Sequence, residues 1–198
     1  MVNSHARTLL RAVTVVAAIA VALMAGACDS PSAPVSSGLT LSLNKISSVD
    51  AKLIAQMRKA TDKYHNIKVA RADGYVDDGF GCVSDPVLGG MGFHLIRDDL
   101  HADPAIDPLK PELLLYEQKK DGKMEFVAVE YEVYQDDWTN AGNTQPPSML
   151  GKEFPALVFE GIPPVFGLHV WLWEENPSGL LEDWNPKVHC PGEGKKKP

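Results

Sequence analysis

Hydrophobic and polar positions alternate most cleanly in the second half of the chain. In Phe166–Trp173 (FGLHVWLW), Leu168, Val170 and Leu172 fall on one side of an extended strand and His169, Trp171 and Trp173 on the other. Glu112–Gln118 and Lys123–Gln135 also read as strands, joined by Lys119-Lys120-Asp121-Gly122, whose Asp-Gly pair predicts a hairpin with a type I′ turn. With Asp121 and Gly122 central, Lys120 faces Lys123, and Glu117–Phe126, Leu115–Ala128 and Leu113–Glu130 pair on one face. Tyr116–Val127 and Leu114–Val129 pair on the other, which continues through Tyr131 and Val133 and is apolar throughout. Gly92–Arg97 predicts a shorter strand with His94 and Ile96 on one side, and Phe154–Glu160 a further short one.

Nearer the N-terminus the period changes. Val49, Leu53, Met57, Ala60, Tyr64 and Ile67 recur at spacings of three and four, with Ile54 widening the stripe. They predict one long helix over Ser47–Asp73, stopped by Gly74, with His65 at the edge of its apolar face. Asp77–Gly92 (DDGFGCVSDPVLGGMG) reads as glycine-rich loop. Asp136–Pro164 reads as a long proline-rich connection of the kind that forms a lid or rim. The expected fold is α+β: one long N-terminal helix packed on an antiparallel sheet able to curl into a half-barrel, in a single globular domain over residues 47–190. Residues 191–198, with Lys195-Lys196-Lys197, read as a disordered basic tail.

The first residues are a targeting segment. Arg7 and Arg11 precede an apolar run, Ala12–Ala25, too short to span a bilayer as a mature helix. Ala25-Gly26-Ala27-Cys28 then matches the bacterial lipoprotein signal, except that Ala25 stands where Leu is usual. On this reading residues 1–27 are removed, Cys28 is acylated, and residues 28–46, including DSPSAPVSSG, form a flexible tether. The expected location is the bacterial cell membrane or envelope, reached through the lipid on Cys28. An ordinary secretory signal cut near Ala27 is the alternative and would leave a secreted or periplasmic product. Loss of the two leader arginines takes the net charge from −7 to −9, a poor balance for nucleic-acid binding. With Cys28 acylated, Cys82 and Cys190 remain, and in an oxidising compartment they predict a disulfide. Closing a loop of about 100 residues, it would be worth roughly 4–5 kcal/mol. A metal pair using His189-Cys190 is the competing reading.

The candidate chemistry is sparse. His65, His94 and His169 with a hairpin carboxylate form one constellation suited to zinc, copper or iron. Glu117 and Glu130 share a face but lie four residues apart in register, about 13 Å, so one small site cannot use both. Glu130, mid-strand, is the better ligand. No HExxH, G-x-S-x-G or CxxC is present. Trp171, Trp173, Phe126 and Tyr134 could line a ligand pocket on the open face of a curled sheet, or could be plain core.

The segments YHNIKVARADGY, GMGFH, PELLLYE, VAVEYEV and LHVWLWEENPSGLLEDWNP followed by Cys190 resemble a group of exported bacterial proteins, over about Lys59–Cys190. The resemblance implies that His65, His94 and His169 belong to a shared pattern; the group brings no established activity. The leading expectation is a lipid-anchored binding protein that holds a metal ion or small molecule at His94, Glu130 and His169, with His65 nearby. A metal-dependent enzyme at the same site and a purely structural envelope protein are the alternatives.

Overall fold

The computed structural model describes residues 48–159 and 161–192, all within one compact unit. The leader, Cys28, the tether and the Lys195–Lys197 run lie outside the described residues. Among the described residues no helix is long and apolar enough to cross a membrane.

The fold is α+β, with a six-stranded antiparallel sheet forming a half-barrel. Its strands are β1 (Val76–Asp85), β2 (Gly89–Ile96), β3 (Leu113–Gln118), β4 (Met124–Tyr134), β7 (Ala156–Leu157) and β8 (Val165–Val170). Their order is β1-β2-β3-β4-β8-β7, a meander extended by two later strands. β5 (Ser148–Met149) and β6 (Lys152–Glu153) pair separately within the long connection. The main core lies on one face, where Leu95, Leu114, Tyr116, Val129, Tyr131, Leu168 and Val170 meet Ile54, Met57 and Tyr64. A smaller apolar cluster on the other face contains Leu113, Leu115, Ala128, Trp171 and Val188.

The predicted single long helix is instead three pieces: α1 (Ser48–Thr61), a 3-10 turn over Asp62–His65, and α2 (Ile67–Ala72). The cause is Asn66, whose backbone is extended and whose side chain accepts the Lys68 N–H. In an unbroken helix that N–H would bond the Tyr64 carbonyl. The Tyr116 hydroxyl takes its place, donating to the Tyr64 carbonyl at 2.8 Å from the middle of the sheet. The break thus turns a helix carbonyl into a tie between helix and sheet.

Two further expectations change. The glycine-rich stretch is not loop but most of a hairpin, β1–β2, whose turn is closed by the Asp85 carboxylate accepting the Val87 and Leu88 N–H groups. At the β3–β4 turn, Lys119 pairs with Lys123 across a three-residue connection and Gly122 adopts φ +81°, so the turn is not the two-residue I′ type. The register near the turn is therefore one residue off the expected one, with Tyr116 opposite Phe126 and Glu117 opposite Glu125. A bulge at Val127 absorbs the offset, and Leu115–Ala128 and Leu113–Glu130 pair as expected.

The C-terminal segment crosses the second face as a strap. Trp171 donates its backbone N–H to the Leu180 carbonyl and its indole N–H to the Glu182 carbonyl. Gly90 exchanges hydrogen bonds with Asn185 and donates to Val188, so near that a Cβ on Gly90 would lie 2.8 Å from the Val188 carbonyl oxygen. The strap ends in the Cys82–Cys190 disulfide, as the cysteine count predicts, with a Cα separation of 5.6 Å.

Tyr116→Phe removes the donor that satisfies a buried carbonyl and leaves packing almost unchanged. Urea unfolding should show a loss of about 1–3 kcal/mol; a loss below about 0.5 kcal/mol would mean that water satisfies the Tyr64 carbonyl equally well.

Candidate metal centre

Glu130 stands mid-β4 on the strap side of the sheet. Directly opposite it in β8 is His169. His94 in β2 lies across β3 from Ala128, one same-face step from Glu130. The period of two along each strand therefore delivers all three side chains to one patch. They are buried, at 6% (His94), 4% (Glu130) and 2% (His169) exposure. Opposite Glu132, the β8 position is Gly167. A Cβ there would sit 3.3 Å from Glu130 Oε1 and 2.8 Å from Leu157 Cδ1, so the glycine keeps room for the carboxylate.

The three converge through specific atoms. Glu130 Oε2 lies 3.7 Å from His94 Nε2 and 3.5 Å from His169 Nε2. The three ligand atoms all fall within 4.8 Å of one another. These separations are too long for hydrogen bonds. The two carboxylate–imidazole distances are close to the spacing of ligands around one ion, since bonds of 2.0–2.1 Å at tetrahedral angles put neighbouring ligand atoms about 3.3–3.4 Å apart. Both nitrogens of His169 and Nδ1 of His94 are buried without a hydrogen-bond partner. Buried polar atoms are seldom left so, and an ion bound at Nε2 would account for His169 Nε2.

Each imidazole also has a carboxylate behind it. Asp183 Oδ1, on the strap, is 3.5 Å from His169 Nδ1, and Asp78 Oδ2 is 3.9 Å from His94 Nδ1. Asp78 reaches the site because β1 bulges there. Its pairing jumps from Asp77–Leu95 to Cys82–Phe93, which ejects residues 78–81 opposite His94. Gly79 and Gly81 make that excursion possible, with φ of +90° and +75°. Such carboxylate–histidine pairs fix the tautomer so that Nε2 is offered to a metal.

The electrostatics keep His94 neutral and leave the buried Glu130 carboxyl short of a full counter-charge. Burial pushes the Glu130 carboxyl up to about 8. Burial, and then the neighbouring His169, push His94 down to about 3. For His169 burial acts downward too, but Glu130 and Asp183 outweigh it and its pKa is raised. The His169 imidazole, 3.5 Å away, holds Asp183 below the usual carboxylate value.

A second buried polar cluster adjoins the first. His101, on the short helix α3 (Asp98–His101), contacts Glu132 Oε1 at 2.9 Å and packs at a tilt against Tyr134, with ring centroids 4.3 Å apart. Glu112 accepts the Glu132 backbone N–H at 3.2 Å. Here the polar atoms satisfy one another.

Of the expected site residues, the structure brings His94, Glu130 and His169 together and leaves His65 out. His65 is on the helix side, its ring 4.4 Å from Trp173 and 5.6 Å from Phe126. The expected pocket of Trp171, Trp173, Phe126 and Tyr134 does not form either. The Val127 bulge moves Phe126 to the helix face. Trp173 and Glu174 both donate to the bulged Val127 carbonyl, which breaks the alternation after Leu172 and carries Trp173 to the same face. Trp171 stays on the strap side beside His169, and Tyr134 lies at the far end of β4. Glu117 is occupied by the His189 N–H and Lys119, away from the trio. Asp78, Asp183, His101 and Glu112 escape a reading by strand period. Asp78's one local signal is its place before two alternating glycines, a bulge cue; Asp183 has none.

No family model matches the chain, and no curated protein or solved structure matches it.

The buried acids make a pH prediction. Burial raises Glu112 from 4.5 to about 8. Between those values the unfolded chain has released a proton that the folded chain keeps, so stability falls as pH rises. In metal-free protein, Glu112→Gln should lose less of its urea midpoint between pH 5 and pH 8 than the wild type loses; equal losses would mean that Glu112 ionises normally in the fold.

Proposed function

We propose that this is an exported, lipid-anchored protein whose folded domain binds one divalent transition metal through His94 Nε2, Glu130 Oε2 and His169 Nε2. The observation that carries the reading is the convergence of three buried donor atoms at ligand-to-ligand spacing rather than hydrogen-bond spacing. Two imidazoles and a carboxylate suit zinc, copper or iron, and intrinsic affinity follows the Irving–Williams order, with copper above zinc and zinc above iron. Export and anchoring rest on the leader, the small-residue run ending at Cys28, and the resemblance to exported bacterial proteins. Burial of all three donors favours a held ion over a small organic ligand, because a ligand needs a concave lining. A half-open concave region of about 1120 Å³ lies elsewhere, at the turn end of the β3–β4 hairpin, bordered by His65, Phe126, Lys119, Lys187 and His189.

A metal-dependent enzyme is the second reading, and one observation favours it. Three protein donors are the count found in catalytic zinc sites, where a fourth position is left for water or substrate.

Protein purified without an affinity tag should carry one zinc, copper or iron per chain by native mass spectrometry and elemental analysis. Glu130→Ala and His169→Ala should each lose it. Added zinc should raise the melting temperature of the wild type and not of the variants. A chain that carries no stoichiometric metal, with a melting temperature that added metals leave unchanged, would defeat the proposal.

A further inference from the structure

The proposed metal centre depends on two residues that touch no ion. We infer that Asp78 and Asp183 are positioning residues for His94 and His169, and that the Cys82–Cys190 disulfide is what holds Asp78 in place, so that metal affinity depends on the disulfide. This rests on the metal-binding reading above.

The two carboxylates come from the two chain segments that the disulfide joins. Asp183 lies on the strap between Glu182, whose carbonyl accepts the Trp171 indole N–H, and Asn185, which pairs with Gly90. It is therefore pinned on both sides without help from Cys190. Asp78 has no such support. It opens a bulge whose glycines, 79 and 81, face open space, with no atom within 4 Å of a Cβ built on either. The bulge's own local bond is from the Phe80 N–H to the Asp78 carboxylate, which shapes the loop but does not fasten it to the sheet. The first residue to rejoin the ladder is Cys82, opposite Phe93, and its sulfur is bonded to the end of the strap. Asp78 is thus held by Asp77 in the ladder on one side and by Cys82 on the other.

The chemistry at the imidazoles gives these carboxylates their role. A carboxylate at Nδ1 holds the proton there and leaves Nε2 as the donor. Both Nδ1 atoms face a carboxylate, at 3.9 Å and 3.5 Å, and have no other polar partner.

The test is zinc affinity of the full-length protein, measured by competition with a chromophoric chelator, for the wild type, Asp78→Asn, Asp183→Asn, Cys82→Ala/Cys190→Ala and the triple variant Asp78→Asn/Cys82→Ala/Cys190→Ala. Asp78→Asn and Asp183→Asn should each bind zinc about 10–100-fold more weakly, with the metal-free melting temperature little changed. Removing the disulfide should weaken binding by a similar factor. In the Asp78→Asn background it should weaken binding no further, since the group it positions is gone. Disulfide and Asp78 losses that multiply in the triple variant would overturn the inference, as would wild-type affinity in both Asp→Asn variants. If the cysteine variants do not fold, the two Asp→Asn variants decide, because their disulfide is intact. A wild type that takes up no zinc would remove the metal reading and this inference together; a wild type that binds zinc with unaffected variants would remove this inference alone.

Discussion

A carboxylate in the middle of a sheet is the constraint around which the rest of this structure is arranged. Glu130 sits on the central strand pair, 4% exposed, where an unpaired charge would be strongly unfavourable. The surroundings meet that demand without supplying a lysine or arginine. They bring two imidazoles from strands on either side of β4, clear space with Gly167, and set carboxylates behind the imidazoles. Without a cation, burial favours the protonated carboxyl and raises the Glu130 pKa to about 8, while Glu130 and Asp183 raise that of His169. That is a costly way to satisfy three polar side chains, and it leaves imidazole nitrogens unpartnered. A divalent cation would satisfy all three donors at once.

The neighbouring cluster shows what a purely structural solution looks like in the same protein. His101, Glu132 and Glu112 are equally buried, but their contacts are at 2.9 Å and 3.2 Å, ordinary hydrogen-bond lengths. The two clusters share strand β4 and face the same side. Their difference in spacing is therefore not a general looseness of this region. It is specific to the place where two Nε2 atoms and one Oε2 atom point at a common centre.

The parts of this arrangement that were legible in the sequence are those governed by a period of two. His169 and Glu130 could be assigned to one face because strand alternation survives any even displacement. The turn prediction was wrong by one residue, yet Leu113–Glu130 was right, because the bulge at Val127 restores the register before Glu130 is reached. Phe126 lies between turn and bulge and so was placed on the wrong face; Trp173 followed it, bound to the bulged carbonyl. The break at Asn66 escaped for a related reason. The apolar stripe continues through Met57 and Tyr64 whether or not the backbone hydrogen bonds do, and it is a side chain capping Lys68 that ends the helix. Asp78 and Asp183 were not legible at all. One depends on a bulge and the other on a strap that returns across more than half the chain, and neither leaves a periodic mark.

The same contrast bears on how the centre would work. Ligands on strands are placed by ladders that tolerate little movement, which suits a site that must hold an ion without delay for rearrangement. The carboxylates behind them are on irregular segments, one pinned by the strap's contacts with Trp171 and Gly90, the other by a covalent bond. An enzyme would also need a path for substrate to a fourth position. Trp171, stacked at 6.4 Å from His169, and Leu157, against Gly167, border the trio together with the carboxylates of Asp78 and Asp183. With all three donors buried, a substrate path would have to open through these side chains, whereas an ion would need only the space between the donors.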